Sequence, residues 1–349
     1  MDSYRVLRQL QLGLFGLVLL AAKDGLADKV CIKRVAKRLV ATREIEMLTA
    51  VGRHPGVCQL LEWFEDQGDM VLVLEYCAGD VYDLIHERDL TIDECVRLAT
   101  QLGAAVAHAH AQGVYHRDIK PENILYDFDG NFKLCDWGLA TSHRICDEMN
   151  VGTEKYMAPE MFDEAAGGSA GNTRYDAALA DYWGVGITLL ALIFGLAPFK
   201  PTTVDDANFR TFCQSPQILY DIYPNMNLTC YETFTSTIVR VAPELRDLTA
   251  FVSQFELKLA YGFTVDEYHD SYAADTNDDD VFAADMLRAS TMFDRGGRQH
   301  SSFDNTLPTL ILLVKLTKLW CDMDDTDDAE FHQQIDAIFK KLGGLHVRE

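Results

Sequence analysis

Asp118, Asn123 and Asp136 are the residues whose types and spacing point most directly to chemistry. Asp118 and Asn123 lie in the run Tyr115-His116-Arg117-Asp118-Ile119-Lys120-Pro121-Glu122-Asn123-Ile124-Leu125, and Asp136 opens Asp136-Trp137-Gly138 a short way on. Two carboxylates and an amide are hard oxygen donors, the kind Mg²⁺ accepts while sharing its other positions with water and phosphate. Between them, Asp127-Phe128-Asp129-Gly130 has the composition of a tight turn. The flanking Asn123–Tyr126 and Phe132–Leu134 read as two short apolar strands. Such a hairpin returns Asn123 and Asp136 to the same end, whereas a merely solvated loop would have to produce this order by accident.

Holding such a loop in place requires a sizeable core. The chain has 349 residues, 48% of them hydrophobic, enough for one large domain with a remainder. Its formal net charge of −23 argues against nucleic-acid binding, which needs a basic face, and against anionic membrane surfaces. It favours basic peptide partners. Nine cysteines, odd in number and never spaced C-x-x-C, fit a reducing compartment better than a disulfide or zinc framework. The expected location is therefore cytoplasmic, with nuclear import through the basic run Lys33–Arg38 as the lesser reading. At the N-terminus, Arg5, Arg8 and the apolar run Leu10–Ala22 imitate a signal peptide. Gln11, Gly13 and Gly16 interrupt that run, so a β-hairpin is the better reading, and the run is too short to span a bilayer.

The run around Asp118, followed by Asp136-Trp137-Gly138, resembles the catalytic loop H-R-D-x-x-x-x-N and the metal-binding D-F-G of eukaryotic protein kinases. Other stretches follow in the family's order. Leu10-Gln11-Leu12-Gly13-Leu14-Phe15-Gly16-Leu17-Val18 resembles the Gly-rich loop, with Gln11 in place of its first glycine. Val30-Cys31-Ile32-Lys33 is similar to V-A-I-K, and Ala158-Pro159-Glu160 matches A-P-E. Gly152-Thr153 and Lys120 resemble the serine/threonine branch. The region Asn208–Glu232, with Asp221-Ile222-Tyr223-Pro224-Asn225-Met226, is similar to fungal serine/threonine kinases that restrain meiosis or respond to nutrients.

The resemblance implies an α+β, two-lobed protein-kinase fold, with a small antiparallel β-sheet lobe carrying one helix and a larger, mainly helical lobe. Residues 1–260 would form the catalytic domain, divided into a small lobe 1–76 and a large lobe 77–260. It further implies ATP and Mg²⁺ as cofactors and serine or threonine hydroxyls of protein substrates as acceptors, with basic residues around the site. Asp118, Lys120 and Asn123 would be catalytic, and Asn123 and Asp136 would bind metal. The nucleotide would be held by Leu10, Gly13, Gly16, Val18, Cys31, Lys33, Glu44, Glu75, Cys77, Asp80, Leu125 and Asp136. Glu44 is preferred to Glu46 as the partner of Lys33, and Arg246 is the expected partner of Glu160. Trp137 replaces the family's phenylalanine and is expected to fill the same slot, against Leu48, Leu60 and His116.

Two expectations concern regulation and reactivity. Asp147 and Glu148 stand where a phosphate would meet Arg117, so they are expected to replace it in part. Cys135, next to Asp136, is read as a thiol lining the nucleotide pocket and open to covalent modification. The competing function is a pseudokinase scaffold or nucleotide-binding adaptor, with a small-molecule kinase third. His108 and His110 are expected to be solvent or packing residues, and 162–173 a glycine-rich insertion. Beyond the kinase-like region, 261–306 is acidic, including Asp278-Asp279-Asp280, and has the composition of a disordered linker. Leu307–Trp320 and Ala329–Leu342 can each form an amphipathic helix, giving a helical extension over 307–349.

Overall fold

Alternating apolar and polar residues in the first quarter of the chain fold as one antiparallel sheet. Its strands are β1 (Tyr4–Gly13), β2 (Gly16–Lys23), β3 (Lys29–Val35), β4 (Leu60–Asp66) and β5 (Asp69–Glu75), in the order β1-β2-β3-β5-β4. The computed structural model describes residues 3–13, 16–23, 29–36, 38–163 and 173–262. The expected C-terminal helices, nearly all of the acidic linker and most of the glycine-rich insertion lie outside the described residues. The signal-like run forms the β1–β2 hairpin, with Gly13 paired to Gly16.

The two-residue period of β3 divides its side chains between the sheet's faces. Val30 and Ile32 join Leu19, Val71 and Val73 in one apolar cluster. Val35 faces the other way, onto α1 (Arg38–Val51), where Ala41 and Ile45 pack with Met70 and Leu72. Lys33 shares that face by parity, so the strand aims its ammonium group at the helix. β4 begins only at Leu60, because the residues before it pair elsewhere. Cys58 N–H donates to Leu134 O at 3.0 Å and Leu134 N–H to Gly56 O at 2.8 Å. This segment thereby ties the small lobe to the hairpin below.

Past the hinge, β6 (Gly79–Asp80), β7 (Ile124–Tyr126) and β8 (Phe132–Leu134) make a small sheet beside α2 (Val81–Glu87) and α3 (Ile92–Ala111). A capping box between Thr91 and Glu94 starts α3, each side chain bonding the other's backbone. The strands β9 (Ile145–Cys146) and β10 (Tyr175–Asp176) pair across the segment that follows. The rest of the lobe is helical: α4 (Ala177–Phe194), α5 (Ala207–Gln214), α6 (Ile218–Ile222), α7 (Leu228–Thr237) and α8 (Leu248–Gly262).

α4 is long and apolar enough to cross a membrane by composition, but 89% of it is buried inside the lobe. Trp183 is fully buried among Phe199, Phe209 and Phe212. Each such ring contributes roughly 2–3 kcal/mol of burial. The result is the small sheet lobe with one helix and the larger helical lobe that the resemblance implied.

Candidate active site

Three groups meet where the two lobes face each other. Lys33 Nζ lies 2.9 and 2.8 Å from the two carboxylate oxygens of Glu44 and 2.8 Å from Asp136 Oδ1. Glu44 is 1% exposed, whereas Glu46 is exposed on the far face of α1. Burial disfavours the charged form of Lys33, but the carboxylates of Glu44 and Asp136 outweigh it and hold the ammonium group charged. Burial also raises the Asp136 carboxyl, and Lys33 more than reverses that, leaving it below the usual carboxylate range.

The loop carrying Asp118 is fixed from beneath by Asp181, near the start of α4. Its buried carboxylate accepts the backbone N–H groups of His116 and Arg117, at 2.8 and 2.7 Å, and His110 Nε2–H at 2.8 Å. Arg117 has φ +67° and Asp136 φ +60°, a left-handed backbone that costs of order 1 kcal/mol or more in a side-chain-bearing residue. The Asp181 bonds hold the first of these in place. His116 Nε2–H donates to Cys135 O at 2.9 Å, joining the loop to the residue before Asp136. Cys135 N–H donates to Asn123 O at 2.9 Å. Asn123 and Asp136 thus sit on adjoining backbone at one end of the β7–β8 hairpin.

Asp118 and Lys120 converge on a hydroxyl. Thr153 Oγ1–H donates to Asp118 Oδ1 at 2.7 Å, Lys120 Nζ donates to Thr153 Oγ1 at 2.7 Å, and Lys120 lies 2.9 Å from Asp118 Oδ2. Asn123 Nδ2 donates to Asp118 O at 2.8 Å and to Asp118 Oδ2 at 3.2 Å. Its amide oxygen is therefore turned away from Asp118. The Asp136 side chain is 32% exposed and spends Oδ1 on Lys33, which leaves its other oxygen available as a ligand. Two protein oxygens of this kind suit Mg²⁺, which retains water and phosphate in its remaining positions.

The other expected nucleotide contacts lie around this centre. Val18 is paired with Lys33 and Cys31 with Leu74 across the sheet, and Leu10 sits on β1 next to Gln11, which pairs with Val18. Gly16 has φ +137°, and a Cβ there would fall 2.1 Å from Arg34 O, so only glycine fits that turn. Gly13 is its partner across the turn. Glu75 and Cys77 flank the hinge, and Leu125 pairs with Asp80. The Glu75 side chain turns away to Lys133, at 2.9 Å. Asp80 caps α2, accepting from Asp83 N–H at 2.8 Å, which occupies one of its two oxygens.

Asp181, to which the sequence assigns no role, supports the catalytic loop together with His110, and its signal in the sequence is an aspartate near the start of an otherwise apolar helix. Of the expected acidic pair, Glu148 meets Arg117, Oε2 to Nη1 at 3.0 Å, and also approaches Arg43 at 3.7 Å. Arg117 has a fully buried side chain whose Nη2 lacks a hydrogen-bond partner among the described residues. Trp137 is fully buried and meets His116 edge-on at 4.7 Å. Cys135 is half-buried beside Asp136, and desolvation pushes its thiol well above the ordinary range, which favours the thiol over the thiolate.

A sequence profile described as a protein kinase domain matches residues 4–253. Serine/threonine-protein kinase KSP1 of Saccharomyces cerevisiae is 32% identical over 254 residues, covering 71% of this chain and 23% of that protein. Serine/threonine-protein kinase ksp1 of Schizosaccharomyces pombe is 33% identical over 307 residues, covering 82% of this chain and 63% of that protein. CBL-interacting serine/threonine-protein kinase 24 of Arabidopsis thaliana is 34% identical over 213 residues, 57% of this chain and 46% of that protein. The chain therefore spans less than two thirds of the length of each of these three relatives.

Proposed function

The chain belongs to the protein kinase family, and from that premise we propose that it transfers the γ-phosphoryl group of ATP to serine and threonine hydroxyls of protein substrates. The observation that carries this reading is the Thr153 hydroxyl held between the Asp118 carboxylate and the Lys120 ammonium group. An acceptor and a cation already arranged around one alcohol provide what an incoming serine or threonine needs.

Roles follow from positions. Lys33, steadied by Glu44, would orient the α- and β-phosphates, and the turn between Gly13 and Gly16 would cover them. The hinge backbone at Glu75 and Cys77 would hold adenine between Leu10, Val18 and Cys31 above and Leu125 below, with Asp80 toward the ribose. Asn123 and Asp136 would hold Mg²⁺, which when bound neutralises charge on the phosphates. Asp118 would accept or orient the substrate hydroxyl proton, and Lys120 would stabilise charge on the transferred group.

Two finer points belong to the same proposal. Asp80, Asp83 and Glu122 lie within electrostatic reach of one another beside α2, which favours lysine or arginine near the acceptor residue. Glu148 stands in for a phosphate on Arg117, so the activation segment needs no phosphorylation to be held. The test is Mg²⁺- and ATP-dependent ³²P transfer to a generic basic protein, followed by phosphoamino-acid analysis. Phosphoserine or phosphothreonine that disappears with Asp118→Asn supports the reading, and label on tyrosine or on neither enzyme's product overturns it.

A further inference from the structure

On the side of the hinge away from Asp118 and Lys33, both lobes line an open groove of about 830 Å³. Its walls come from the start of β3, the turn after α1, β4, the hinge and the β7–β8 turn, and they carry Lys29, Arg53, Lys133, Leu61, Tyr76 and Phe128. None of the groups assigned above to phosphate, metal or proton transfer lies in it. Its chemistry runs against the rest of the molecule. Lys133 is neutralised by Glu75 at 2.9 Å, but Lys29 and Arg53 are exposed and no carboxylate among the described residues pairs with either. Burial and the neighbouring His108 lower the pKa of His54, so that ring adds no charge near neutral pH.

Two uncompensated cations on a chain of net charge −23 stand beside a row of uncovered apolar groups. Phe128 is 71% exposed, Leu61 53% and Trp63, two residues further along the edge strand β4, 51%. The β4–β5 register shifts at Leu60–Glu62, around Leu61. The Phe128 ring tilts against Tyr76 at 5.6 Å. Exposed large apolar side chains gathered around a cationic concavity mark a binding surface more often than a solvated face.

We propose that this groove docks the chain's own acidic segment Asp278-Asp279-Asp280-Val281-Phe282. The three carboxylates meet Lys29 and Arg53, and Phe282 fills the apolar side between Leu61 and Phe128. Asp278 lies sixteen positions after Gly262, the end of α8, a connection of up to about 55 Å when extended. A domain of the size of residues 3–262 has a radius of gyration of about 18 Å, so the connection covers about three quarters of the path round the surface from Gly262 to the opposite side. Tethering gives the segment an effective concentration of order 1 mM, so an intrinsic Kd of about 0.1 mM keeps the groove about 90% occupied.

Amide hydrogen exchange on the full 349-residue chain tests this. The wild type is compared with a variant carrying Asp278→Asn, Asp279→Asn, Asp280→Asn and Phe282→Ser. Amides of 53–63 and 126–131 are expected to exchange about tenfold faster in the variant, with the melting temperature lower by about 3–6 °C, the linkage expected from losing that occupancy. Lys29→Glu with Arg53→Glu should give the same loss, and adding Asp278→Lys, Asp279→Lys and Asp280→Lys to that pair should restore protection. Equal exchange in wild type and tail variant overturns the proposal. So does protection that rises with protein concentration, since that assigns the groove to a second copy of the chain. The outcome is independent of phosphoryl transfer, so a failure here leaves the proposed activity standing, and the reverse also holds.

Discussion

Replacing Glu148 by glutamine removes one charge from a pair whose two ends are unlike. Arg117 is fully buried at its side chain and Glu148 is 53% exposed. The remaining Arg117 side-chain bonds are Nε to Leu139 O at 2.8 Å and long contacts from Nη1 to the Tyr175 hydroxyl at 3.5 Å and to Cys146 Sγ at 4.0 Å. A charged hydrogen bond to a buried guanidinium contributes about 1.5–3 kcal/mol, and solvent access to Glu148 pulls that toward the low end. We therefore expect a loss of about 1–2 kcal/mol from the ordered activation segment, or about 5–30-fold in the population that can act. The assay is kcat/KM for a basic peptide after exhaustive phosphatase treatment of both proteins. Wild type should be active and Glu148→Gln slower by that factor. Adding Arg43→Gln should change little more, because the Arg43 contact is long and exposed at both ends. A dephosphorylated wild type that is inert, or a variant as fast as wild type, would refute the reasoning.

Further expectations concern stability and reactivity. Glu94 accepts two bonds from Arg88 and closes the α3 capping box. The Arg88 bonds chiefly hold its carboxyl down at about 2 against an ordinary 4.5. Because the folded-state value is depressed, its contribution is complete above pH 4.5 and fades as pH falls toward about 2. Glu94→Gln should flatten denaturant-derived stability across that acid window and leave the neutral-pH slope unchanged. Arg246 has a side chain 0% exposed, bonds Glu160 with both terminal nitrogens and lies 5.0 Å over the Trp183 ring. Arg246→Ala should lower stability by roughly 3–5 kcal/mol and the melting temperature by roughly 6–20 °C in a thermal scan. Iodoacetamide should label exposed Cys213 early, half-buried Cys135 more slowly because desolvation raises its thiol, and buried Cys58, raised by its bond to Cys77 and by burial, only after denaturant is added. Rapid labelling of Cys135 in the folded protein would contradict that.

The order of motifs was legible in the sequence because each is a local device. The β7–β8 turn returns Asn123 to Cys135, the β3 period aims Lys33, and the α3 start is written in Thr91 and Glu94. Long-range partnerships were harder to read. Asp181 joins His116 and Arg117 across more than sixty positions, and its local signal, an aspartate near the start of an apolar helix, does not say which groups it bonds. His110, expected to be a solvent or packing residue, packs against Tyr115 and Tyr182, and its hydrogen-bond partner Asp181 comes from α4, which spacing within its own helix does not reveal. The raised thiol of Cys135 depends on a desolvation that only the assembled lobes create. Glu44 is preferred to Glu46 on helical phase in the sequence, and α1 places Glu44 against Lys33 and leaves Glu46 in solvent.

Nucleotide binding and phosphoryl transfer measured side by side on wild type, Asp118→Asn and Asp136→Asn test the central claim most directly. Asp118→Asn should bind Mg²⁺-ATP within about threefold of wild type while transferring phosphate about 10²–10⁴-fold more slowly. Asp136→Asn should lose the Mg²⁺ dependence of binding itself. Wild-type transfer by Asp118→Asn, or unaltered Mg²⁺-dependent binding by Asp136→Asn, would contradict the account.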